Sequence, residues 1–469
     1  MQSKCVITRV VEIAAGAFAP GHLGELTRFV DFALVDRVLA QQNAAGVRIR
    51  VLPGRVTVYF VLALALFEGC SYRAVWGKLT ASPTGLAPSR VAVSSLSRAR
   101  ERLGPDVLKA VFKQVAGTAG RAAGPGVCWR GFRTVALDGT SLRLPESGLV
   151  TMRYAKRHDR HRYTGYPLVY LMVLVETGTR AVIDAVFGPE DGTEQAMALG
   201  VCPRLSAGML VLADAGLDGF ALLAAIRGRG AQFPVRTGAT RRPRREQELA
   251  DGSCLTTLHR RVRAGKRALP PMPARVIDAS VSVHLADGSV RTEPYRLITS
   301  LLDPDRYPAA DLVALYHERW QAETAYAQLK TALLTGRVLR SCTCPLIEQE
   351  IWAILTVYQL LVRAIGEAGE HGRIDTDRLS FTIALETARD QLVLAAGVFP
   401  DPTYTPTITT RLLADPYPAH QRQRLRARTL KTISKYWSHH GRKPDRCLDY
   451  TLEISIEIFK ERLPARPRP

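Results

Sequence analysis

Apolar residues recur every three or four positions through the first 125 residues, and this spacing predicts helices rather than strands. The predicted helices cover residues 25–42, 55–69, 71–80, 92–103 and 105–118. Gly104 and Pro105 separate the last two, because Gly suits the end of a helix and Pro its first turn. The first quarter of the chain is therefore expected to be helical.

Two short helices precede a third that carries Arg98, Arg100 and Arg102. This order is typical of a helix-turn-helix unit, whose last helix enters the major groove of DNA. The alternative is an Arg-rich helix on an ordinary solvated surface. Both interpretations stand at this point, and the first predicts that Arg98 and Arg102 bind DNA.

The pattern changes after RAAGPGVC, a joint with Gly and Pro at residues 121–128 that predicts a domain boundary. Predicted strands cover 132–137, 168–175 and 181–187, followed by a helix at 192–204, a strand at 209–213, a helix at 218–228 and a strand at 232–236. Three strands followed by helix, strand, helix and strand is the element order of an RNase H-like domain. The expected fold class is thus α/β (α+β), with a helical region on either side.

Residues 237–300 combine basic runs with alternating apolar and polar positions, which predict β-hairpins. We interpret this span as a mostly β insertion in the RNase H-like domain. Its arginines favour contacts with phosphates over plain solvated loops. The predicted phosphate ligands include Arg241, Arg242, Arg244 and Arg245.

Residues 308–334 predict one long helix with a narrow polar stripe. Tyr316, Arg319, Glu323 and Lys330 follow one another at intervals of three, four and seven residues. At about 100° per residue, these side chains fall within an arc of roughly 60°. The simplest alternative is an ion pair between Arg319 and Glu323 on a solvated face.

The net charge changes the picture, because 64 Lys and Arg outnumber 43 Asp and Glu and give a charge of +21. Such an excess favours a polyanionic partner, most simply nucleic acid, with an anionic membrane surface as the competitor. The longest apolar run, at residues 56–67, is too short to cross a bilayer. The N-terminus lacks the pattern of a secretion signal, so a cytoplasmic, nucleoid-associated protein is expected. No phosphate-binding or dinucleotide-binding glycine motif appears, which argues against an NTP or NAD requirement.

The polar stripe resembles the signature helix of the insertion sequence 4 family of DDE transposases, in which Tyr, Arg, Glu and Lys recur at these intervals. The run LPGRVTVYFVLALALFEGCSYRAVWGKL and the later SLSRARERLGPDVLKAVF resemble the N-terminal domain of the same family. LDGTSLRL and LADAGLDG resemble its first and second acid motifs. The resemblance implies that Asp138, Asp214 and Glu323 are catalytic, and that Tyr316, Arg319 and Lys330 hold DNA phosphates.

Asp138 and Asp214 each follow an apolar strand and precede Gly directly or after one residue. Such acids are expected at strand ends, where ligand groups gather in α/β sheets. An Asp-Gly turn at Asp138 and a helix cap at Asp214 are the alternatives. With Glu323 they form an all-oxygen donor set, which suits two Mg²⁺ or Mn²⁺ ions during phosphodiester cleavage.

The sequence predicts a DDE transposase, an endonuclease that cuts and joins DNA at the terminal inverted repeats of its own insertion sequence. Its partners would be element ends and target DNA, bound by a homodimer in a synaptic complex and not by a membrane. The alternatives are a non-catalytic DNA-binding protein derived from a transposase and an RNase H-like metal nuclease without strand transfer. The expected domains are a helical DNA-binding domain (1–125), an RNase H-like catalytic domain (126–370, with the insertion at 237–300) and a helical basic C-terminal region (371–469).

Overall fold

The structure of the protein is a computed structural model. It describes residues 23–44, 52–80, 91–159, 162–189, 194–238, 241–260, 270–284, 290–394, 407–418 and 453–459. The basic stretch at 420–446 and the arginines at 261, 263 and 267 lie outside the described residues.

Helices form the first part of the described chain and return in its last third. The α-helices are α1 (Phe32–Gln41), α2 (Gly54–Leu66), α3 (Tyr72–Thr80), α4 (Val93–Val115), α5 (Gly148–Arg153), α6 (Glu194–Val201), α7 (Phe220–Gly228), α8 (Ala309–Tyr316), α9 (Trp320–Ala327), α10 (Cys344–Gly372), α11 (Phe381–Leu394) and α12 (Ile408–Ala414). Short 3-10 turns occupy Gly24–Phe29, Cys202–Arg204, Ala215–Leu217, His317–Arg319 and Thr376–Arg378, and a π-helical turn occupies Gln328–Leu333.

Strands fill most of the middle of the chain. They are β1 (Cys128–Trp129), β2 (Phe132–Arg143), β3 (Lys156–Asp159), β4 (Arg162–Glu176), β5 (Val182–Pro189), β6 (Met209–Ala213), β7 (Pro234–Arg236), β8 (Gln247–Glu248), β9 (Cys254–Leu258), β10 (Met272–His284), β11 (Val290–Thr299) and β12 (Glu453–Ile458). The mixed α/β class predicted from the sequence is confirmed, and each predicted core strand of the middle region has an observed counterpart.

The chain folds into two compact units, and both are built from separated stretches of sequence. The first unit takes Met1–Cys128, Arg133–Arg204 and Trp320–Pro418. The second takes Trp129–Phe132, Leu205–Arg319 and Ala419–Pro469. The structural division therefore differs from the three consecutive domains predicted, because residues from all three contribute to the first unit.

The core of the first unit surrounds α10, which packs against α4 and α2. This helix is long and apolar enough to cross a membrane by length and composition, but 89% of its most apolar window is buried inside the protein. Burial against other helices satisfies its apolar surface without lipid. Its role is that of a core helix in the first unit.

In the first unit, β4 pairs antiparallel with both β2 and β5. Asp138 was predicted to end its strand, and this prediction is wrong. β2 continues for five residues beyond Asp138 to Arg143, and its pairing with β4 runs on to Leu168. The Asp-Gly pair is extended backbone held by ladder hydrogen bonds, so the alternative of a plain turn is excluded as well.

The second unit contains a sheet in the order β6, β7, β11, β10, β9, β8. β6 and β7 are parallel, and the neighbours from β7 to β8 are antiparallel. In the described part of 237–300, the regular elements are the strands β8 to β11, as the predicted β-hairpins require. One prediction fails near the C-terminus, where a helical region was expected, because β12 pairs antiparallel with β10 and extends the sheet.

The N-terminal helices are joined to α10 by a buried arginine. Arg100 is 1% exposed and donates from Nε to Oε1 of Gln349 (2.9 Å) and from Nη2 to Oγ of Ser341 (3.1 Å). Gln349 in turn donates to the carbonyls of Arg100 and Gly104, both at 2.9 Å. Gly104 interrupts α4 with φ 70°, which confirms the predicted break and exposes its carbonyl to Gln349.

Replacing Arg100 with Met should lower the free energy of unfolding by about 3 kcal/mol, because each buried polar partner left without a hydrogen bond costs roughly 1–3 kcal/mol. Urea denaturation measures the change. Arg98→Met, on the exposed face of the same helix, is the matched control and should stay within about 0.5 kcal/mol of the wild type. Equal effects of the two substitutions would contradict the role assigned to Arg100.

Candidate functional site

The segment with the predicted polar stripe is helical but not one regular helix. It consists of α8, a 3-10 turn at His317–Arg319, α9 and a π-helical turn at Gln328–Leu333. The tighter and wider turns change the angle per residue, so an unbroken spacing of 100° does not apply. We call Ala309–Leu333 the signature segment; its first part belongs to the second unit and its part from Trp320 belongs to the first.

In the first unit, α9 is attached to the strand that carries Asp138. The hydroxyl of Tyr326 donates to the carbonyl oxygen of Asp138 at 2.6 Å. Burial raises the pKa of Tyr326 far above its ordinary value, and the carboxylate of Asp138 raises it further. Tyr326 therefore stays a neutral hydrogen-bond donor at every physiological pH.

Glu323 lies on α9 one turn before Tyr326, and its side chain is half-buried. Asp138 is also half-buried, and its Oδ1 accepts from the backbone N–H of Gly139 at 2.9 Å. The first unit thus contains two of the three predicted acids, on a strand and a helix joined by the Tyr326 hydrogen bond.

A cleft of about 610 Å³ opens beside Asp138 in the first unit. Its wall includes the part of β2 that follows Asp138 and the end of the signature segment. Lys330 lines it and donates from Nζ to Oγ1 of Thr140. Arg143 and Arg337 add positive charge and are exposed. The cleft therefore combines cations, hydroxyl groups and backbone, which are the groups that bind phosphates.

In the second unit, Asp214 directly follows β6, as predicted. It caps the 3-10 turn Ala215–Leu217, with Oδ1 accepting from the N–H of Gly216 at 2.9 Å. The preceding carbonyl, that of Ala213, accepts from the hydroxyl of Tyr316 at 3.0 Å. The cap predicted as an alternative to catalysis is present, but it uses one carboxylate oxygen and leaves the half-buried side chain able to bind through the other.

Tyr316 was predicted to contact a DNA phosphate, but it is 4% exposed and its hydroxyl is used inside the protein. Burial raises its pKa well above the ordinary value, with the guanidinium of Arg319 opposing and the carboxylate of Asp214 adding to the effect. Its observed role is to hold the end of β6. Helical spacing alone cannot tell an inward face from an outward one, and the phosphate contact of Tyr316 stays a prediction.

Arg319 is also buried, at 9% exposure. Its positive charge lowers the pKa of Tyr316 and the pKa of His317. Burial, with the charges of Arg236 and Arg319, lowers the pKa of His317, so this imidazole is neutral at pH 7. The arginine of the stripe is therefore part of the interior of the second unit beside the end of β6.

The start of the signature segment depends on residues that sequence reasoning missed. Asp251 accepts from the N–H of Ala309 at 2.9 Å and also pairs with Arg275, which is fully buried. Arg275 donates further to Oγ of Ser253 and to the carbonyl of Tyr307, both at 2.7 Å. A carboxylate at a helix N-terminus is a usual cap, but one supplied 58 residues earlier has no local sequence signal.

The four arginines predicted in the insertion fall into two classes. Arg241 pairs with Asp218 at 3.4 Å, and Arg245 lies 3.6 Å from Asp278. Arg242 and Arg244 are exposed. In the first unit, Arg98 and Arg102 are exposed on α4. Intramolecular ion pairs thus occupy Arg241 and Arg245, whereas the other four point their charge to solvent.

The predicted metal ligands all offer carboxylate oxygens, and this donor set suits a hard divalent ion such as Mg²⁺ or Mn²⁺. Asp138 and Glu323 lie in the first unit and Asp214 in the second. Within the described ranges, no three His, Cys, Asp or Glu side chains converge as ligands of one ion. The residues fit the metal by chemistry, and their assignment as ligands remains a prediction.

Comparisons with known proteins agree with this picture. Residues 20–113 match the family described as "Insertion element 4 transposase N-terminal", and residues 129–360 match "Transposase DDE domain". The chain is 26% identical to "Transposase InsG for insertion sequence element IS4" of Escherichia coli (strain K12), over 81% of this chain and 85% of that protein. It is 25% identical to "Putative transposase InsZ" of the same strain, over 38% of this chain and 59% of that protein.

Among solved structures, the chain is similar to "Cryo-EM structure of piggyBac transposase synaptic complex with hairpin DNA (SNHP)", with a TM-score of 0.42 and 9% identity over 81% of each chain.

The two family matches follow one another along the chain, and the second includes Asp138, Asp214 and Glu323. The family resemblance predicted from the acid motifs and the polar stripe is confirmed. A transposase acts on DNA, and the charge of +21 suits such a polyanionic partner. The chain belongs to the insertion element 4 family of DDE transposases and is a DNA-cleaving enzyme.

Proposed function

We propose that this transposase cleaves DNA at the terminal inverted repeats of its own element and joins the ends to a target, using Asp138, Asp214 and Glu323. One observation supports the proposal most strongly. The segment that carries Glu323 donates a tyrosine hydroxyl to the backbone of Asp138 in the first unit and another to the residue before Asp214 in the second. Each of these hydrogen bonds holds the backbone at, or directly before, one of the proposed catalytic acids.

The three carboxylates would hold two divalent ions, Mg²⁺ or Mn²⁺. When bound, such ions lower the pKa of an attacking water or 3′-hydroxyl and stabilise the leaving oxygen of the phosphodiester. The protein orients its acids with the cap at Gly216, the hydrogen bond of Tyr326 and the ladder of β2. Rigid support matters, because a displacement of about 1 Å at a reacting group can cost a factor of about 100 in rate.

Lys330, Arg143 and Arg337 would bind the phosphates of the cleaved strand in the cleft beside Asp138. The exposed Arg98, Arg102, Arg242 and Arg244 would extend contact along the duplex. Arg241 and Arg245 would contribute less to DNA binding than the sequence suggested, because acids of the second unit already pair with them.

The catalytic region would have an RNase H-like fold, with residues 1–125 acting as the DNA-binding region. Apart from the short α5 and β3 between β2 and β4, the element order is β2, β4, β5, α6, β6, α7, β7, which supports this proposal. The antiparallel pairing of β2, β4 and β5 and the parallel pairing of β6 with β7 support it as well. The working assembly would be a homodimer that holds two element ends, in the cytoplasm at the nucleoid.

Glu323→Gln should abolish Mg²⁺-dependent cleavage of element-end DNA while binding of the uncleaved end is largely kept. The amide removes the negative charge that a metal ligand needs and preserves the size of the side chain. A gel assay of cleavage and strand transfer with labelled end DNA, beside a binding titration, measures both. Glu386→Gln, at an exposed carboxylate of α11, is the matched control and should behave as the wild type.

Wild-type cleavage by Glu323→Gln would exclude the assigned role of this acid. Cleavage by the wild-type protein without joining of 3′ ends to a target would instead favour a metal nuclease, and so decide between the two reactions.

Lys330→Ala should weaken binding to cleaved ends and flatten its dependence on salt. Each phosphate contact releases roughly 0.9 counterions, so the slope of log K against log salt should fall by about 1. Titrations at several salt concentrations measure the slope. Lys109→Ala, at an exposed lysine of α4, provides a control outside the cleft. An unchanged slope for Lys330→Ala would argue against a phosphate contact.

A further inference from the structure

A tyrosine on the neighbouring strand covers the glycine that follows Asp138. In the pairing of β2 with β4, Ser141 lies opposite Tyr170 and Gly139 opposite Met172. A Cβ atom added to Gly139 would lie 1.8 Å from Oη of Tyr170 and 2.5 Å from its Cζ. The phenol therefore crosses diagonally onto the backbone of Gly139, and only a residue without a side chain leaves room for it.

This phenol is anchored at its far end. The Tyr170 hydroxyl donates to Oε1 of Glu194 at 2.6 Å, and Glu194 is the first residue of α6. Oxygen donors at this distance from a carboxylate form strong, charge-assisted hydrogen bonds. The contact fixes the ring torsions of Tyr170, so the ring cannot swing away from Gly139 without breaking the bond to Glu194.

The peptide that joins Asp138 to Gly139 is held by further hydrogen bonds. Tyr326 donates to the Asp138 carbonyl at 2.6 Å, and the Gly139 N–H donates to Oδ1 of Asp138 at 2.9 Å. These contacts restrict the peptide that joins Asp138 to Gly139.

We propose that Tyr170 and Glu194 are positioning residues for Asp138, acting as a clamp on the Gly139 backbone. The inference rests on the proposed catalytic role of Asp138. A glycine in a strand is conformationally loose, and an aromatic ring from the adjacent strand restrains it. Tyr170 also lines the cleft beside Asp138. The role assigned to the clamp is to set the direction of the Asp138 carboxylate through the backbone, which does not depend on contact with DNA.

Tyr170→Phe keeps the ring and removes the hydrogen bond to Glu194. The single-turnover cleavage rate with saturating end DNA should fall roughly tenfold, which corresponds to about 1.4 kcal/mol of lost positioning. The Kd for end DNA should stay within twofold. Mn²⁺ binding to the full chain, followed by the loss of the free-ion electron paramagnetic resonance signal, should weaken several-fold. Tyr166→Phe, at a 48% exposed tyrosine of the same strand, should change none of these values.

Glu194→Ala should reproduce the effect of Tyr170→Phe, and the double variant should be no slower than either single one, because both remove the same bond. Glu194→Gln retains an acceptor oxygen and should restore most of the rate. Additive losses, or a wild-type rate in Tyr170→Phe, would overturn the clamp. The melting temperature of each variant shows whether a loss of rate comes from unfolding. A Tyr170→Phe variant that has the melting temperature of the Tyr166→Phe control and still cleaves slowly supports the clamp.

Asp138→Asn separates this inference from the proposed function. If Asp138→Asn is inactive and Tyr170→Phe is normal, only the clamp fails. If Asp138→Asn cleaves DNA at the wild-type rate, the catalytic role of Asp138 fails and the clamp fails with it. An inactive Asp138→Asn, together with non-additive losses at Tyr170 and Glu194, supports both.

Discussion

Two buried tyrosine hydroxyls in the signature segment hold the backbone beside two acids. Tyr326 bonds to the carbonyl of Asp138, and Tyr316 bonds to the carbonyl before Asp214. A buried phenol that lost its acceptor would cost roughly 1–3 kcal/mol, so each bond resists displacement of the strand it contacts. The position of Glu323 follows from the same segment, because it lies between these two tyrosines. Neutral hydrogen bonds thus hold the backbone at Asp138 in the first unit and the backbone before Asp214 in the second.

The positive charge of the chain serves two purposes that composition cannot separate. Arg100 and Arg275 are fully buried and donate hydrogen bonds to acceptors inside the protein. Arg180 pairs with Asp377 in the interior of the first unit. Arg98, Arg102, Arg242 and Arg244 instead remain exposed. Guanidinium groups suit both tasks, since five N–H donors can join several carbonyls and can equally bind a phosphate. The net charge indicates a nucleic-acid partner, and burial decides which arginines are available to it.

The Tyr170 clamp gives a physical reason for the glycine after Asp138. In sequence, an Asp-Gly pair is typical of a turn. Here Gly139 lies within a strand, and the absence of its side chain admits the Tyr170 ring. The motif around the acid thus extends to Tyr170 on β4 and Glu194 on α6, which are 31 and 55 positions after Gly139 in sequence.

The sequence alone determined the helical N-terminal region, the order of strands and helices around the acids, the β character of the insertion and the family. These features depend on local periodicity, on turn residues and on motifs such as LDGTSLRL, which short stretches of chain contain in full. The break at Gly104 was predictable for the same reason, because Gly suits the end of a helix and the following Pro suits the first turn of the next.

Only the tertiary structure decided which side chains face inward and which partners they meet. Spacing placed Tyr316 and Lys330 on one stripe, yet Tyr316 is buried against Ala213 and Lys330 lines an open cleft. The pairing of β12 with β10 and the cap that Asp251 supplies to α8 join residues more than 50 positions apart. Such contacts follow from how whole elements pack, and no local pattern of apolar and polar residues encodes them.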